Sequence, residues 1–176
     1  MNGGAGMFRW RSLALFPLVM FVVGCAGYQL GPTNGRTSGA QSIQVNTFAN
    51  RTQEPRLSEV ITSSLRKRLQ QDGTYRLDTK NEGDIIVNGT IVDYDRSHVS
   101  LKPDDVLTPQ DYRITIHAQI VARERITGKI IFDRKVSGHS TLRVGSDLTS
   151  SERRTVPLVA DDLARKATSL IVDGSW

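Results

Sequence analysis

The sequence predicts an α+β domain in which two helices pack on one face of a mostly antiparallel sheet of about four to five strands. Apolar side chains recur every three or four residues in two segments, 57–69 and 159–170, and this spacing indicates two amphipathic helices. Between them, apolar and polar residues alternate over 112–123, as expected for a strand with one buried face. The elements are predicted in the order β-α-β-β-β-β-α.

Local signals set the first strand and the first helix. A short strand is predicted at 43–48, where Ile43, Val45 and Phe48 are apolar. The helix is predicted to begin near Pro55, because proline has no N–H and the N–H groups of the first turn have no partner within a helix. It is predicted to end at Gly73. Its basic run, Arg66, Lys67 and Arg68, is predicted to complement the negative end of the helix dipole. The apolar stripe of this helix consists of Leu57, Ile61, Leu65 and Leu69.

The middle of the chain is rich in β-branched residues. A strand at 85–94 is apolar on both sides and is therefore predicted to be central, with Ile91 and Tyr94 on opposite faces. Residues 97–109 are polar, contain two prolines and are predicted to form a loop. Residues 126–129 are predicted to form a hairpin turn. The last helix is predicted at 151–172, where Pro157 either opens it or kinks its first turn.

The first 24 residues have the organisation of a secretory signal. Arg9 and Arg11 precede a short apolar run, 13–23, and no acidic residue is present. A membrane-spanning helix needs about 20 apolar residues, so this run is too short to be one. We therefore expect 1–24 to be a signal peptide and 25–40 a flexible tether rich in Gly, Thr and Ser. Residues 41–176 are expected to form a single domain.

Cys25 is the only cysteine and follows the apolar run directly. Val22-Val23-Gly24-Cys25 resembles the lipobox of bacterial lipoproteins, whose cysteine becomes the acylated first residue of the mature chain. The resemblance implies a covalent lipid anchor, palmitate included, on Cys25, and several acyl chains together hold a protein firmly to a bilayer. Lipoproteins of this class that stay in the inner membrane often carry Asp next, so Ala26 favours the outer membrane. An ordinary signal peptide with an incidental cysteine is the alternative.

The chain offers little to an enzyme or to a nucleic-acid-binding protein. Its formal net charge of +5 is only mildly basic, and export also argues against nucleic acid as a partner. No cofactor motif is present, and His98, His117 and His139 lack metal-ligand spacing. Asp93 and Asp95 share a strand face and are candidates for acid–base chemistry, although a polar strand end is the simpler interpretation. We expect a protein that binds rather than catalyses.

Basic residues gather on and around the predicted hairpin, where guanidinium and ammonium groups can hold phosphates through charge-assisted hydrogen bonds. Solubilising charge on an exposed sheet is the alternative interpretation. The candidate anion-binding residues are Arg113, Arg123, Arg125, Lys129, Arg134 and Lys135.

Several short segments resemble one known family. The stretch Cys25-Ala26-Gly27-Tyr28-Gln29-Leu30 resembles the mature start of the LptE family of lipopolysaccharide-assembly lipoproteins. The stretch 42–52, which ends in Phe48-Ala49-Asn50-Arg51-Thr52, is similar to the first strand of that family and its exit. The strand at 84–91 also fits the family's element order.

The resemblance implies a function. Members of the family plug the lumen of the outer-membrane β-barrel LptD and help lipopolysaccharide to reach the cell surface. The implied partners are therefore an LptD-type barrel, lipopolysaccharide and the membrane that holds the acyl chains. A polar lumen needs a polar plug, so Thr115, His117 and Gln119 are candidate barrel contacts. The basic residues named above become candidate lipopolysaccharide contacts.

A lipid-anchored periplasmic adaptor that activates another envelope complex, such as a cell-wall synthase, is the alternative function. An adaptor of this kind would cross the periplasm on a longer arm. A tether of about 15 residues spans at most about 50 Å, which keeps the domain near the membrane and favours the plug.

Overall fold

A computed structural model describes the fold over residues 39–102, 105–143 and 147–173. Side chains are described for all of these residues except 101, 102 and 105–110. The predicted signal peptide, Cys25 and the tether up to residue 38 lie outside the described residues, so each of them stays a prediction.

Two helices and six strands make up the described part of the chain. In chain order they are β1 (Ser42–Val45), β2 (Ala49–Asn50), α1 (Leu57–Asp72), β3 (Arg76–Asp78), β4 (Ile85–Lys102), β5 (Asp105–Glu124), β6 (Ile130–Arg143) and α2 (Leu148–Asp173). The predicted α+β class with two helices on one sheet is confirmed. The sheet is slightly larger than expected, because two-residue β2 adds a sixth strand.

The sheet has the order β3-β1-β4-β5-β6, and β2 pairs with β4 beyond the end of β1. β1 runs parallel to both β3 and β4, because α1 carries the chain back along the sheet between β1 and β3. β4, β5 and β6 form an antiparallel meander. The sheet is therefore mixed, and β4 lies inside it as predicted.

The apolar core lies between one face of the sheet and the two helices. The predicted stripe of α1 is buried along its whole length, from Leu57 to Leu69. α2 contributes Val159, Leu163 and Ala167, each fully buried, which confirms most of its predicted stripe. Strand β5 faces the helices with an unbroken row of buried side chains, Ile114, Ile116, Ala118, Ile120 and Ala122.

α2 approaches β6 closely at Gly138. A Cβ atom on Gly138 would lie 2.4 Å from the carbonyl oxygen of Val159 and 2.6 Å from the Cβ atom of Leu163. Both distances are far inside van der Waals contact, so a residue without a side chain is required here. The close approach fixes the distance between helix and sheet.

α1 is bounded by two residues in the left-handed conformation. Arg56 has a φ of 68° immediately before the helix, and Gly73 has a φ of 75° immediately after it. The N–H of Gly73 donates to the carbonyl oxygen of Leu69 at 3.2 Å, which confirms the predicted end of the helix. Pro55 lies two residues before Leu57, so it precedes the helix and does not open it.

The predicted loop at 97–109 is wrong. β4 continues to Lys102 and β5 begins at Asp105, so this stretch is the outer part of a long hairpin. β6 ends opposite Asp111, so beyond this point β4 and β5 pair only with each other. The polar sequence of this stretch gave no strand signal, and the pairing register shifts several times close to Pro109, which has no N–H to donate.

A bulge in β4 corrects the predicted face of Tyr94. The register shifts between Ile91 and Asp93, and the extra residue Val92 returns Tyr94 to the side of the sheet that the helices cover. The Tyr94 hydroxyl donates a hydrogen bond to Glu152 of α2. Burial and this acidic partner raise the pKa of Tyr94 well above its ordinary value.

α2 begins earlier than predicted. Pro157 lies inside the helix, so it neither opens the helix nor kinks its first turn. The carboxylate of Asp147 accepts hydrogen bonds from the N–H groups of Thr149 and Ser150, both at 3.0 Å, and this N-cap sets the start of the helix at Leu148. The hydroxyl and N–H of Ser150 hold the pKa of Asp147 below its ordinary value.

Candidate binding surface on the open face of the sheet

The candidate site is the face of the sheet opposite the helices, which we call the open face. Successive side chains of a strand point to opposite sides, so the residues between the buried positions of β5 lie on this face. Thr115, His117 and Gln119 are half-buried there, whereas Ile116 and Ala118 between them are fully buried. The structure therefore brings the three candidate barrel contacts into one row.

Polar side chains of the neighbouring strands flank this row. Asp93 of β4 and Ser137 of β6 lie opposite His117, and Lys135 lies opposite Gln119. The amide nitrogen of Gln119 also donates to Asp133 of β6. The centre of the open face thus presents hydroxyl, imidazole, amide and charged groups over three adjacent strands. Such a surface can match a polar partner but offers little to an apolar one.

Amide side chains extend the open face towards β1. The Nε2 of Gln44 donates to the Oδ1 of Asn46 at 2.6 Å, and the Nδ2 of Asn46 donates to the Oδ1 of Asn88 at 2.9 Å. Each amide carries two donor hydrogens and an acceptor oxygen with two lone pairs. The row is therefore held rigid by its internal bonds and still has hydrogen-bonding capacity for a partner.

The six candidate cations do not form one cluster. Arg113 and Arg123 are ten residues apart on β5, which corresponds to about 33 Å along the strand. Arg123 lies beside the β5–β6 turn with Arg125 and Lys129, and these three are brought together. Lys135 lies at the centre of the open face. Arg134 is next to Lys135 on β6 but lies on the face that the helices cover, where it pairs with Ile120 of β5.

Arg125 holds the turn against the start of β4. Its guanidinium donates to the carbonyl oxygen of Gly83 at 2.9 Å, to the Oε1 of Gln44 at 3.2 Å and to the carbonyl oxygen of Asn81. Its backbone N–H donates to the carbonyl oxygen of Asp84 at 2.8 Å. These contacts give Arg125 a structural role. Arg123 and Lys129 are both exposed, and the structure describes no such contact of their side chains.

Side chains of α2 cover part of the outer edge of β6. The carboxylate of Asp162 accepts a hydrogen bond from the N–H of His139 at 3.0 Å, and the Nζ of Lys166 donates to the carbonyl oxygen of Ser137 at 3.2 Å. Asp162 and Lys166 also pair with each other at 2.7 Å. Backbone groups at a sheet edge invite pairing with another strand, so these contacts direct binding towards the open face.

The described residues contain no group of three His, Cys, Asp or Glu side chains placed to hold a metal ion. Asp93 and Asp95 share the open face as predicted, with His117 and Thr115 opposite them. Within the same described ranges, neither helix has the length and apolar character needed to cross a membrane.

A family model for lipopolysaccharide-assembly proteins, LptE, matches residues 40–173. The chain belongs to the LptE family. The match spans every helix and strand of the fold, and it confirms the resemblance that the sequence indicated. An LptE-family protein serves lipopolysaccharide assembly, which is a role in transport and assembly rather than in catalysis.

Solved structures share this fold at low sequence identity. A protein from Xanthomonas campestris has 6% identity and a TM-score of 0.59, with 84% of this chain and 93% of that chain covered. A hypothetical protein from Chlamydia trachomatis has 10% identity and a TM-score of 0.56, with 78% and 99% covered. A minor lipoprotein from Acinetobacter baumannii has 14% identity and a TM-score of 0.51, with 76% and 93% covered. The sequence has no significant match among curated proteins.

The basic run of α1 has a different task in this LptE-family domain from the one predicted. No basic residue lies in the last turn of α1, so the expected pairing with the helix dipole is wrong. Arg66 donates to the carbonyl oxygen of Val45 at 2.6 and 3.2 Å, and Arg68 forms a two-pronged pair with Asp161 of α2. The hydrogen bonds from Arg68 hold the pKa of Asp161 below its ordinary value.

A second contact without a sequence signal joins β1 to the start of β4. The carboxylate of Asp84 accepts hydrogen bonds from the N–H of Ser42 at 2.8 Å and from its hydroxyl at 2.7 Å. The N–H and then the hydroxyl lower the pKa of Asp84. Because the two residues are far apart in sequence, only the parallel pairing of β1 with β4 reveals the contact.

Proposed function

We propose that this LptE-family protein is an outer-membrane lipoprotein, anchored by acylated Cys25, that plugs an LptD-type β-barrel. In that position it assists assembly of the barrel and passage of lipopolysaccharide to the cell surface. The observation that carries the proposal is the open face, a rigid polar surface on a domain whose family serves lipopolysaccharide assembly.

The polarity of the open face supports a barrel lumen as its partner. The interior of a large outer-membrane barrel is polar, whereas its outer wall carries an apolar band about 25 Å tall. Thr115, His117 and Gln119 form the polar row that would meet the lumen wall. Half-buried polar groups of this kind form hydrogen bonds with the partner on docking. These bonds replace most of the hydrogen bonds to water that docking removes.

The dimensions of the hairpin support the same arrangement. β5 has 20 residues and extends over about 65 Å at the usual rise of an antiparallel strand. That length is more than twice the height of the apolar band of a barrel, about 25 Å. The domain would therefore run along the lumen through the membrane and reach beyond it.

The exposed cations are proposed as contacts for the phosphates of lipopolysaccharide. Arg123 and Lys129 lie together at one end of β5. Lys135 lies at the centre of the open face, and Arg113 lies opposite Thr141, close to the end of β6. Charge-assisted hydrogen bonds to phosphate are favourable for both guanidinium and ammonium groups. Arg125 and Arg134 remain candidates, although Arg125 already donates three hydrogen bonds within the domain.

The first test is a mild-detergent pull-down of the tagged protein from its native outer membrane. A large β-barrel in stoichiometric amount is the expected partner. Recovery of a cell-wall synthase instead would contradict the plug and support the adaptor function. A photo-crosslinking residue at Gln119 then tests the open face, and the same residue at Leu158, exposed on α2, is the matched position. A barrel that co-purifies but never cross-links through Gln119 would contradict the assignment of the face.

Lipopolysaccharide binding is tested by reversing two charges. Arg123→Glu with Lys129→Glu is expected to weaken binding several-fold and to reduce its dependence on salt, since fewer ionic contacts remain to be screened. Arg153→Glu, an exposed residue of α2, is the control for a general change in net charge. Equal losses in the two variants would remove the site assignment and leave only a non-specific charge effect.

The anchor is tested by Cys25→Ala. The variant is expected to lose its acyl chains and to accumulate as an uncleaved or mislocalised protein, which mass spectrometry and membrane fractionation detect. Normal processing and outer-membrane localisation without an acyl group would refute the lipobox assignment.

A further inference from the structure

The turn that joins β5 to β6, residues 125–129, exposes an apolar side chain to an unusual degree. Ile126 is 89% exposed, and Ile130 directly after the turn is 52% exposed. Among the large apolar side chains that the structure describes, Ile126 is the most exposed. A single exposed isoleucine is ordinary, but two that lie four residues apart across one turn give this end of the hairpin a small apolar surface.

Cations lie beside this apolar surface. Arg123 lies opposite Ile130 on the neighbouring strand, and Lys129 ends the turn, and both are exposed. The carboxylate of Glu124, the residue after Arg123 in sequence, accepts a hydrogen bond from the Thr127 hydroxyl at 2.6 Å and is thereby engaged within the turn. The turn therefore combines exposed apolar side chains with positive charge, which is the combination found on segments that bind the interface of an anionic bilayer.

The turn lies at the end of the sheet where the chain from Cys25 arrives. Arg125 donates to Asp84, and Asp84 accepts from Ser42 at the start of β1. Gly39, three residues earlier, donates to the carbonyl oxygen of Thr74 at this same end. We call this region the tethered end of the domain.

The length of the tether favours the tethered end as the membrane-facing end. Thirteen residues lie between Cys25 and Gly39, and even at full extension this stretch spans at most about 50 Å. The opposite end of the hairpin lies about 55 Å away along β4. A bilayer that holds the acyl chains is therefore within reach of the turn, whereas the far end lies beyond the full extension of the tether.

We propose that the β5–β6 turn is a second membrane contact, in which Ile126 enters the bilayer interface and Arg123 and Lys129, when no lipopolysaccharide is bound to them, meet the phosphates of acidic phospholipid headgroups. The proposal rests on the acylated Cys25 of the proposed function. The contact adds orientation to attachment: the anchor holds the protein to the leaflet, and the turn sets which end of the sheet faces it. Each cation near an anionic surface strengthens docking by about five-fold.

The test measures how deeply the turn enters a membrane. The acylated mature protein leaves no free thiol, so Ile126→Cys accepts a single polarity-sensitive fluorophore. Val99→Cys is the matched control, since Val99 is 50% exposed on β4 near the far end of the hairpin. Both proteins are reconstituted in vesicles of phosphatidylethanolamine and phosphatidylglycerol that contain nitroxide-labelled lipid. We expect a blue-shifted, strongly quenched label at position 126 and an unquenched label at position 99.

Equal, weak quenching at the two positions would overturn the proposal. A second arm adds Arg123→Glu and Lys129→Glu to Ile126→Cys, and the equilibrium constant for docking should fall by more than ten-fold. The same fall is expected for the parent protein in vesicles of phosphatidylcholine alone, and unchanged quenching in either case would overturn the role of the cations. Mass spectrometry of Cys25 scores the anchor separately. A chain without acyl groups contradicts the proposed function. In that case the membrane contact of the turn is still measured, by the same quenching experiment at saturating vesicle concentration.

Discussion

Gly138→Ala tests whether α2 packs on β6 at the distance that the structure gives. The new Cβ atom would lie 2.4 Å from the carbonyl oxygen of Val159, about 1 Å inside ordinary contact. That oxygen belongs to the backbone of a helix, so it cannot turn away as the end of a flexible side chain would. α2 must move outward by about 1 Å, and the buried side chain of Leu163 must move with it.

The expected cost follows from two opposing effects. Over-packing of a well-packed core typically costs about 1–3 kcal/mol, and the upper part of that range applies because backbone must move. Replacement of glycine by alanine also restricts the unfolded chain, which returns about 0.4–1 kcal/mol. The net loss is therefore about 2 kcal/mol, or roughly 6 °C in Tm for a domain of this size.

Thermal unfolding of the mature protein, followed by circular dichroism, measures this loss. Ser140→Ala is the matched control, since it changes the same strand and the same face two residues away and adds no atom near α2. We expect the control to unfold within about 2 °C of the parent protein. If Gly138→Ala unfolds at the parental temperature or above it, the close approach of helix and sheet is refuted.

Three further predictions concern the core and the join between β1 and β4. Leu65→Ala should lower the free energy of unfolding by about 2–5 kcal/mol, measured by chemical denaturation, because it leaves a cavity under α1. Thr62→Val should cost about 1–3 kcal/mol in the same assay, because the buried N–H of Phe48 loses its acceptor; a neutral result would contradict that hydrogen bond. Asp84 has a lowered pKa in the folded state, so its stabilisation is complete above about pH 4 and is lost as the pH falls through the folded-state value. The stability difference between the parent and Ser42→Ala should therefore shrink in acid, and a difference independent of pH would refute the contact.

Periodicity within a single element was enough to predict the largest features of the fold. The spacing of Leu57 to Leu69 depends only on the geometry of one helix, and the alternation in β5 depends only on the pleat of one strand. Both patterns would be the same in any fold. They therefore predict which face of an element is buried, but they do not identify the element that packs against that face. The polar row at Thr115, His117 and Gln119 could be predicted for the same reason.

Features that depend on two distant segments could not be predicted in this way. The bulge at Val92 changes the face of Tyr94, and its position is set by pairing with β5 rather than by the residues of β4. The hairpin beyond Asp111 extends past the end of β6, and its largely polar sequence carries no regular alternation from which its strands could be predicted. The tasks of Arg66 and Arg125 likewise depend on carbonyl oxygens that the fold brings to them. For Arg66, charge alone wrongly predicted a partner for the helix dipole. For Arg125 it predicted an anion-binding residue, which stays a prediction, but it gave no sign of the structural role.

The parallel pairing of β1 also sets an order for folding. Ile43 pairs with Ile85, and the intervening residues form a loop that must close before this pair exists. β4, β5 and β6 are neighbours in sequence and need only short turns, so their meander can form first. In a chain that emerges N-terminus first, β1 appears before the other strands of the sheet. It cannot pair with β4 until residue 85 has emerged. The strand that comes first in the described chain is therefore synthesised early and completes the sheet late.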